Sequence, residues 1–435
     1  MCPRKPPRKP PFDGLALRAQ EGCGRRWQVV VMAEGWEMRD FAVVLAGVAL
    51  MAALGCNTGT IGGPSGEEAP PAATPGTATA EGAVPLKASE PAKPETPPSA
   101  TEAERIKKVI KQLGAEEFEE REKATAALMA LGRKALPFLE EAAKSADLET
   151  ANRAIELAWK LLWPFDAAEA GRRQKLAAEA LGVPAEKLVD LGGGVKLELV
   201  LIPAGAFEMG SPAGKKARQE PDDQVHRVRI TKPFYLGKYE VTQEQWEKVI
   251  GKNPSDFRGP MNPVEQLSWD DCQDFLKKLN ALVFAPVPVG KGAGAKAEFR
   301  LPTEAEWEYA CRAGSKGRFC FGDSDDELGK YAWYQGNSGD KTHPVGEKKP
   351  NAWGMHDMHG NVWEWCQDWY GVYAGGAAQD DPIGPDKGST RVLRGGSWNG
   401  DPDLCRSAIR ARGAPADRFG VGLRLVLVVP VPESQ

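Results

Sequence analysis

Four histidines and eight cysteines are the residues of this 435-residue chain best able to ligate a metal or act as nucleophiles. His356 and His359 flank Asp357 in the string MHDMH, and His343 lies thirteen residues before His356. Imidazole suits zinc, iron and copper, but the i, i+3 spacing has no helix around it and Gly360 follows at once. These histidines read as loop residues. The cysteines are scattered and form no CxxC, so zinc-ribbon and thioredoxin-like chemistry lack support. Export would permit disulfides, with the pairing left open. Cys272 and Cys311 fall on apolar faces of predicted helices, where a thiol is a small buried hydrophobe. Arg406, Arg410, Arg412, Arg418 and Arg424 offer planar, bidentate donors, for buried carboxylates or for an anionic ligand. Structural pairing is the default. Nine of the 13 tryptophans lie after residue 240, as do three of the histidines, so binding or chemistry is expected at this end.

The elements that position these residues start at Lys196. Leu197, Leu199 and Leu201 alternate with Lys196, Glu198 and Val200, and Pro203 to Gly205 is read as the turn of a β-hairpin that returns through Phe207. His226 to Ile230 alternates again. Three helices announce their N-termini. Thr242 with Gln245, Ser268 with Asp271, and Thr303 with Glu306 have capping-box spacing, and Val241 with Trp246 has that of a hydrophobic staple. After Arg312, Gly, Asn, Pro and Trp dominate, which predicts long structured loops packed on aromatic side chains. Upstream, Ile106, Val109, Ile110 and Leu113 mark one helical stripe, Phe118, Ala124, Leu128 and Leu131 a second, and Ile155 to Leu162 a third. Residues 101–180 therefore read as a small all-α segment resembling a pair of HEAT-type repeats, or as a plain helical spacer. Two such repeats bury too little core alone and must lean on a neighbour.

The segments LVLIPAGAFEMGSP, PFYLGKYEVTQEQW, NPVEQLSWDDC, FRLPTEAEWEYACRAG, NAWGMHDMHGNVWEW, RVLRGGSW and FGVGLRLV occur in this order between residues 196 and 429. Together they resemble the formylglycine-generating enzyme (sulfatase-modifying factor) family. The resemblance implies an α+β fold related to C-type lectins. It also implies a possible activity, oxidation of a sulfatase cysteine to formylglycine by molecular oxygen and copper held on two thiolates. Relatives include iron-dependent sulfur-transfer enzymes and domains without known catalysis, so membership fixes fold better than reaction.

One departure weighs against the oxidase. In catalytic members the RGGS motif is followed by two cysteines; here the second matches Cys405, but Gly400 stands at the first. Soft thiolates select Cu(I), and one cysteine cannot furnish two. Asn399, Asp401 and Asp403 are hard ligands, and Cys320 or Cys366 would have to approach from elsewhere. Ser397 and Trp363 match residues beside the oxygen pocket of the enzymes; without the thiol pair they read as a turn residue and a core residue. The resemblance further implies one calcium ion at the side chains of Asp357 and Glu364 and the carbonyls of Gly360 and Val362. Calcium takes six to eight oxygens, and a Gly-Asn turn brings such carboxylates together.

The N-terminal hundred residues concern address. Residues 1–31 show no clean hydrophobic pattern, and the functional start is placed at Met32 or Met38. Phe41 to Leu54 is too short for a membrane span, which needs about 20 apolar residues, and suits a signal-peptide core. Cys56 after Leu54-Gly55 resembles a lipoprotein box. Residues 57–100, rich in Pro, Ala and Thr, read as a disordered tether. A net charge of −4 and pI near 5.9 give no electrostatic reason to expect nucleic acid. The sequence thus points to an envelope lipoprotein, lipid-anchored at Cys56 and facing the periplasm or exterior. Its domain is expected to bind calcium and an unidentified protein or small-molecule ligand. The alternatives are a formylglycine-generating oxidase with a rearranged metal site, or another metal-dependent oxygenase of this fold.

Overall fold

The computed structural model describes residues 16–20, 28–32, 98–211, 224–284, 297–373 and 378–428. Cys56, the signal-like run and nearly all of the tether lie outside the described residues. Ala16–Gln20 (β1) and Gln28–Met32 (β2) pair antiparallel, where the sequence reading placed no element; the valines of β2 supply the β propensity. Among the described residues no helix is long and apolar enough to cross a membrane.

Helices Ala100–Lys111 (α1), Phe118–Leu131 (α2), Leu136–Ala142 (α3) and Leu148–Leu162 (α4) enclose their own core of Ile106, Leu113, Leu128, Leu139 and Leu157. Phe118 departs from the predicted stripe and is 62% exposed. It is the first residue of α2, so its side chain lies beyond the buried seam. The helices do lean on a neighbour. Glu156 of α4 pairs bidentately with Arg227 at 2.7 and 2.8 Å, and Trp163 packs edge-on against Phe207 at 6.1 Å. Ala167–Leu181 (α5) then leads into the sheets.

Glu186–Gly192 (β3) and Val195–Ile202 (β4) form a hairpin, so the sheet begins ten residues before the expected start at Lys196. Gly193 and Gly194 adopt φ of +70° and +90°, values that L-residues with side chains resist and tight hairpins require. The proposed hairpin across Pro203 does not form. Gly205–Met209 (β5) instead joins His226–Ile230 (β6), while β4 pairs with Phe234–Gly237 (β7). The cause lies in β4 itself: Leu197, Leu199 and Leu201 enter one core and Val200 and Ile202 another. A strand buried on both faces belongs inside a sheet, and the chain must change layers to continue.

The three capping boxes are present, on Gln243–Ile250 (α6), Trp269–Val283 (α7) and Glu304–Arg312 (α8). Phe299–Arg300 (β8) precedes α8. Trp363–Trp369 (β9), Gln379–Asp380 (β10), Arg391–Arg394 (β11), Ala411–Gly413 (β12), Val421–Leu423 (β13) and Val426–Val428 (β14) complete the strands. The sheets run β3-β4-β7-β14-β8, β10-β6-β5 and β13-β9-β11-β12-β1-β2. The fold is mixed α+β, with a helical segment ahead of the sheets.

Candidate functional site

β11 ends in a turn that places Ser397, Gly400 and Cys405 together. Gly395 and Gly396 have φ of +101° and +77°. A Cβ on Gly396 would stand 2.6 Å from the Leu404 carbonyl and 3.0 Å from Cys405 Sγ, so glycine alone lets the turn close over that thiol. Ser397 Oγ donates to Asn399 Oδ1 at 2.7 Å, and Gly400 N donates to Ser397 O at 2.9 Å. Cys405 ends a short 3-10 turn capped by Asp401, which accepts from Leu404 N at 3.0 Å.

The Cys405 thiol is buried among Phe319, Leu328 and Ala332. Burial and the nearby Asp401 push its pKa up, and the Ser397 N–H pulls only weakly the other way, so it stays protonated at neutral pH. The five described cysteines are all free. Cys366 lies in the core cluster of Phe207 and Trp307. Cys311 and Cys320 gather instead around His359, with Cys311 Sγ 3.8 Å from Nε2 and Cys320 N donating to Nε2 at 3.1 Å. Nδ1 of the same ring donates to the Cys405 carbonyl at 2.8 Å; burial pushes His359 down to about 4, so it is neutral. His343 and His356 are likewise committed to the carbonyls of Ser338 and Lys348. Cys272 and Cys311 are buried, as small core thiols.

Trp363 lies in the core with Leu393 and Val421 rather than on a surface. Beside it, Glu364 receives Arg424 Nη2 at 2.7 Å and Trp307 Nε1 at 2.7 Å. Asp357 is buried with φ +60°. Its Oδ2 accepts from Gly346 N at 2.7 Å, while Oδ1 is buried with no hydrogen-bond partner. Burial raises Asp357 to about 6, with Glu364 and Glu347 adding to the effect. Gly360 packs under the Trp333 carbonyl, where a Cβ would collide. Val362 N donates to Glu240 Oε1 at 3.1 Å.

Glu240, which sequence reasoning missed, is pushed up by burial and by the charges of Asp357 and Glu364. Three carboxylates thus face one guanidinium, and an orphaned carboxylate oxygen lies among them. Among the described residues no group of three His, Cys, Asp or Glu side chains could hold a metal, so an ion here would rely on Asp357, Glu364 and backbone carbonyls.

The arginine expectation is met by specific partners. Arg410 binds Glu304 at 2.6 and 2.9 Å, and Arg418 binds Asp271 at 2.6 Å. Arg406 donates to the Asp403 carbonyl at 2.9 Å, and Arg412 lies over the Tyr370 ring. Glu308 is shared by Arg312 and Arg394. Every residue of α8 is buried. Its EAEWE string was the available signal, because three glutamates on a fully buried helix need buried cations.

Residues 195–429 match the family described as "Sulfatase-modifying factor enzyme 1-like domain". The chain belongs to this family. It is 32% identical over 242 residues to the "Chaperone protein LppX" of Paenibacillus barcinonensis, covering 46% of this chain and 78% of that one. It is 30% identical over 288 residues to the "Formylglycine-generating enzyme" of Streptomyces coelicolor, covering 51% and 86%. Among solved structures it is similar to Treponema denticola variable protein 1, with TM-score 0.50, 33% identity and coverage of 56% and 99%. The sulfatase-modifying-factor domain therefore accounts for β4 onward, with β3 added ahead of it.

Proposed function

We propose that this sulfatase-modifying-factor domain is a calcium-stabilised binding or interaction module, lipid-anchored at the cell envelope, that does not carry out two-thiolate copper chemistry. The observation that carries this reading is Cys405, a buried thiol in a turn whose other expected thiol position is Gly400. Cu(I) selects paired soft ligands, and the side chains in that turn are hydroxyl, amide and carboxylate. A relative named as a chaperone fits a role in protein interaction, with the ligand unidentified. The retained Cys405 and the formylglycine-generating relative support the second reading, an oxidase with a rearranged site, which requires copper binding to the wild-type protein.

Calcium would bridge Asp357 and Glu364 with the carbonyls of Gly360 and Val362, bracing the loop. A ligand binding only the folded state stabilises it by about 2.7 kcal/mol at a hundredfold excess over its Kd. Thermal melts are expected to rise with millimolar Ca²⁺ and fall with chelator in the wild type. In Asp357→Ala the two curves should coincide. An equal calcium-dependent shift in both proteins removes the calcium reading.

A further inference from the structure

A cavity of about 350 Å³ opens between β6, the N-terminus of α8, the end of β9 and the loop after β10. Its mouth carries Val372 and Ile383, 71% and 63% exposed, and its walls include Met209, Trp369 and Pro385. Its floor holds two buried carboxyls, Glu304 and Asp368. The size lies at the small end of ligand sites, and an apolar wall with few convergent polar groups is their usual composition.

The floor charges are unequally matched. Glu304 takes Arg410 on both oxygens and the Tyr373 hydroxyl at 3.0 Å. Arg410 Nη1 donates to the Gly371 carbonyl at 3.0 Å. Glu306 takes Arg300 on both oxygens at 2.6 Å. Arg391 donates to the Gln367 carbonyl and is held between the rings of Trp269 and Trp369, 3.9 and 3.5 Å from their centroids. Asp368 has no such cation. Its Oδ2 accepts from Glu304 N at 2.9 Å, and its Oδ1 accepts from none of the described residues. His226 lines the wall, its Nδ1 facing the Gln224 carbonyl at 3.1 Å.

We propose that this cavity binds an organic cation, a primary ammonium on a short apolar stem, with the nitrogen on Asp368 and the stem against Met209, Trp369 and Ile383. An anion would meet two carboxylates and an arginine already paired on both oxygens of one of them. A metal ion would find too few oxygens among these walls. An uncharged apolar molecule would cover Asp368 Oδ1 without giving it a hydrogen bond, which costs free energy. An ammonium supplies both charge and donors.

Binding exchanges a proton. Burial pushes Asp368 up to about 8, and Glu304 and Glu306 act in the same direction against Arg410. The other facing groups, Cys366 and Tyr373, are pushed up by burial and stay neutral. The free cavity at pH 7 therefore holds a protonated Asp368, and the ammonium replaces that proton. Affinity should rise about tenfold per pH unit below 8 and level off above it.

Calorimetry of the full chain with 2-phenylethylamine at pH 6, 7 and 8, in phosphate and in MOPS, tests this, with 2-phenylethanol as the uncharged control. The expected result is one site, a tenfold gain from pH 6 to 7, and release of about one proton at pH 7. The alcohol should not bind. Asp368→Asn, which keeps an oxygen for Glu304 N, should abolish amine binding, and Ile383→Arg at the exposed mouth should weaken it without touching the core. His226→Gln should leave the pH profile unchanged. The proposal is overturned if no amine binding saturates, if the alcohol binds as tightly, if Asp368→Asn binds normally, or if His226→Gln removes the pH dependence.

Discussion

Glu364→Ala is expected to destabilise the domain by about 3–5 kcal/mol, the usual cost of leaving a buried charge uncompensated. The side chains of Arg424 and Glu364 are 0% and 1% exposed. The guanidinium reaches the carboxylate through Nε and Nη2 at 2.7–3.0 Å. Its other donors hold the carbonyls of Gly237 and His356, so one arginine ties β7 to the loop carrying Asp357. Alanine also strands Trp307 Nε1, which now donates to Glu364 at 2.7 Å. Urea denaturation with chelator present should show the full loss, because the ion pair does not depend on calcium. Asp357→Ala strands no cation and only the Gly346 N–H, so its loss with chelator should be smaller, with a further loss appearing only when calcium is added. Glu364→Leu combined with Arg424→Met should recover much of the stability, since replacing a whole buried pair by apolar groups is often close to neutral. A single-variant loss below about 1 kcal/mol would contradict this account of the cluster.

Gly400→Cys is expected to convert a protein that retains no copper into one that holds about one equivalent of Cu(I) after anaerobic loading and desalting, because two thiolates form a soft site where one does not. The backbone accepts the side chain. A Cβ at Gly400 would lie 3.3 Å from Leu404 Cβ and Ser397 O and 3.5 Å from Ser397 N, a close fit requiring shifts of tenths of an ångström. The new sulfur would share the turn with Cys405, whose own thiol burial keeps protonated; a soft metal displaces such a proton and lowers the thiol pKa. Copper quantified on the variant and on Gly400→Ser decides the point. Equal copper on both would show that a second sulfur is not what the site lacks.

The helices, their caps and the gap at Gly400 were legible in the sequence because each is written locally. Thr303 and Glu306 are three residues apart, and their reciprocal bonds at 2.8 and 3.1 Å need no distant partner. The strand layers were not legible. Alternation in Leu197 to Leu201 signals one buried face, yet Val200 and Ile202 are buried as well, which hides the change of sheet at Pro203. The charged interior escaped for a similar reason. Arg410 is 106 residues from Glu304, and Arg424 is 60 from Glu364, so the composition showed that pairs must exist without showing which. Asp368 was invisible as a site residue, since its importance lies in lacking the cation that its neighbours have.

Copper content and oxygen consumption of the wild-type protein test the central claim most directly. The protein would be loaded anaerobically with Cu(I), desalted, and mixed in air with a cysteine-containing sulfatase peptide. The account predicts no retained copper, no oxygen uptake and an unaltered peptide thiol. One equivalent of bound copper, with oxygen consumed as the peptide cysteine becomes formylglycine, would contradict it.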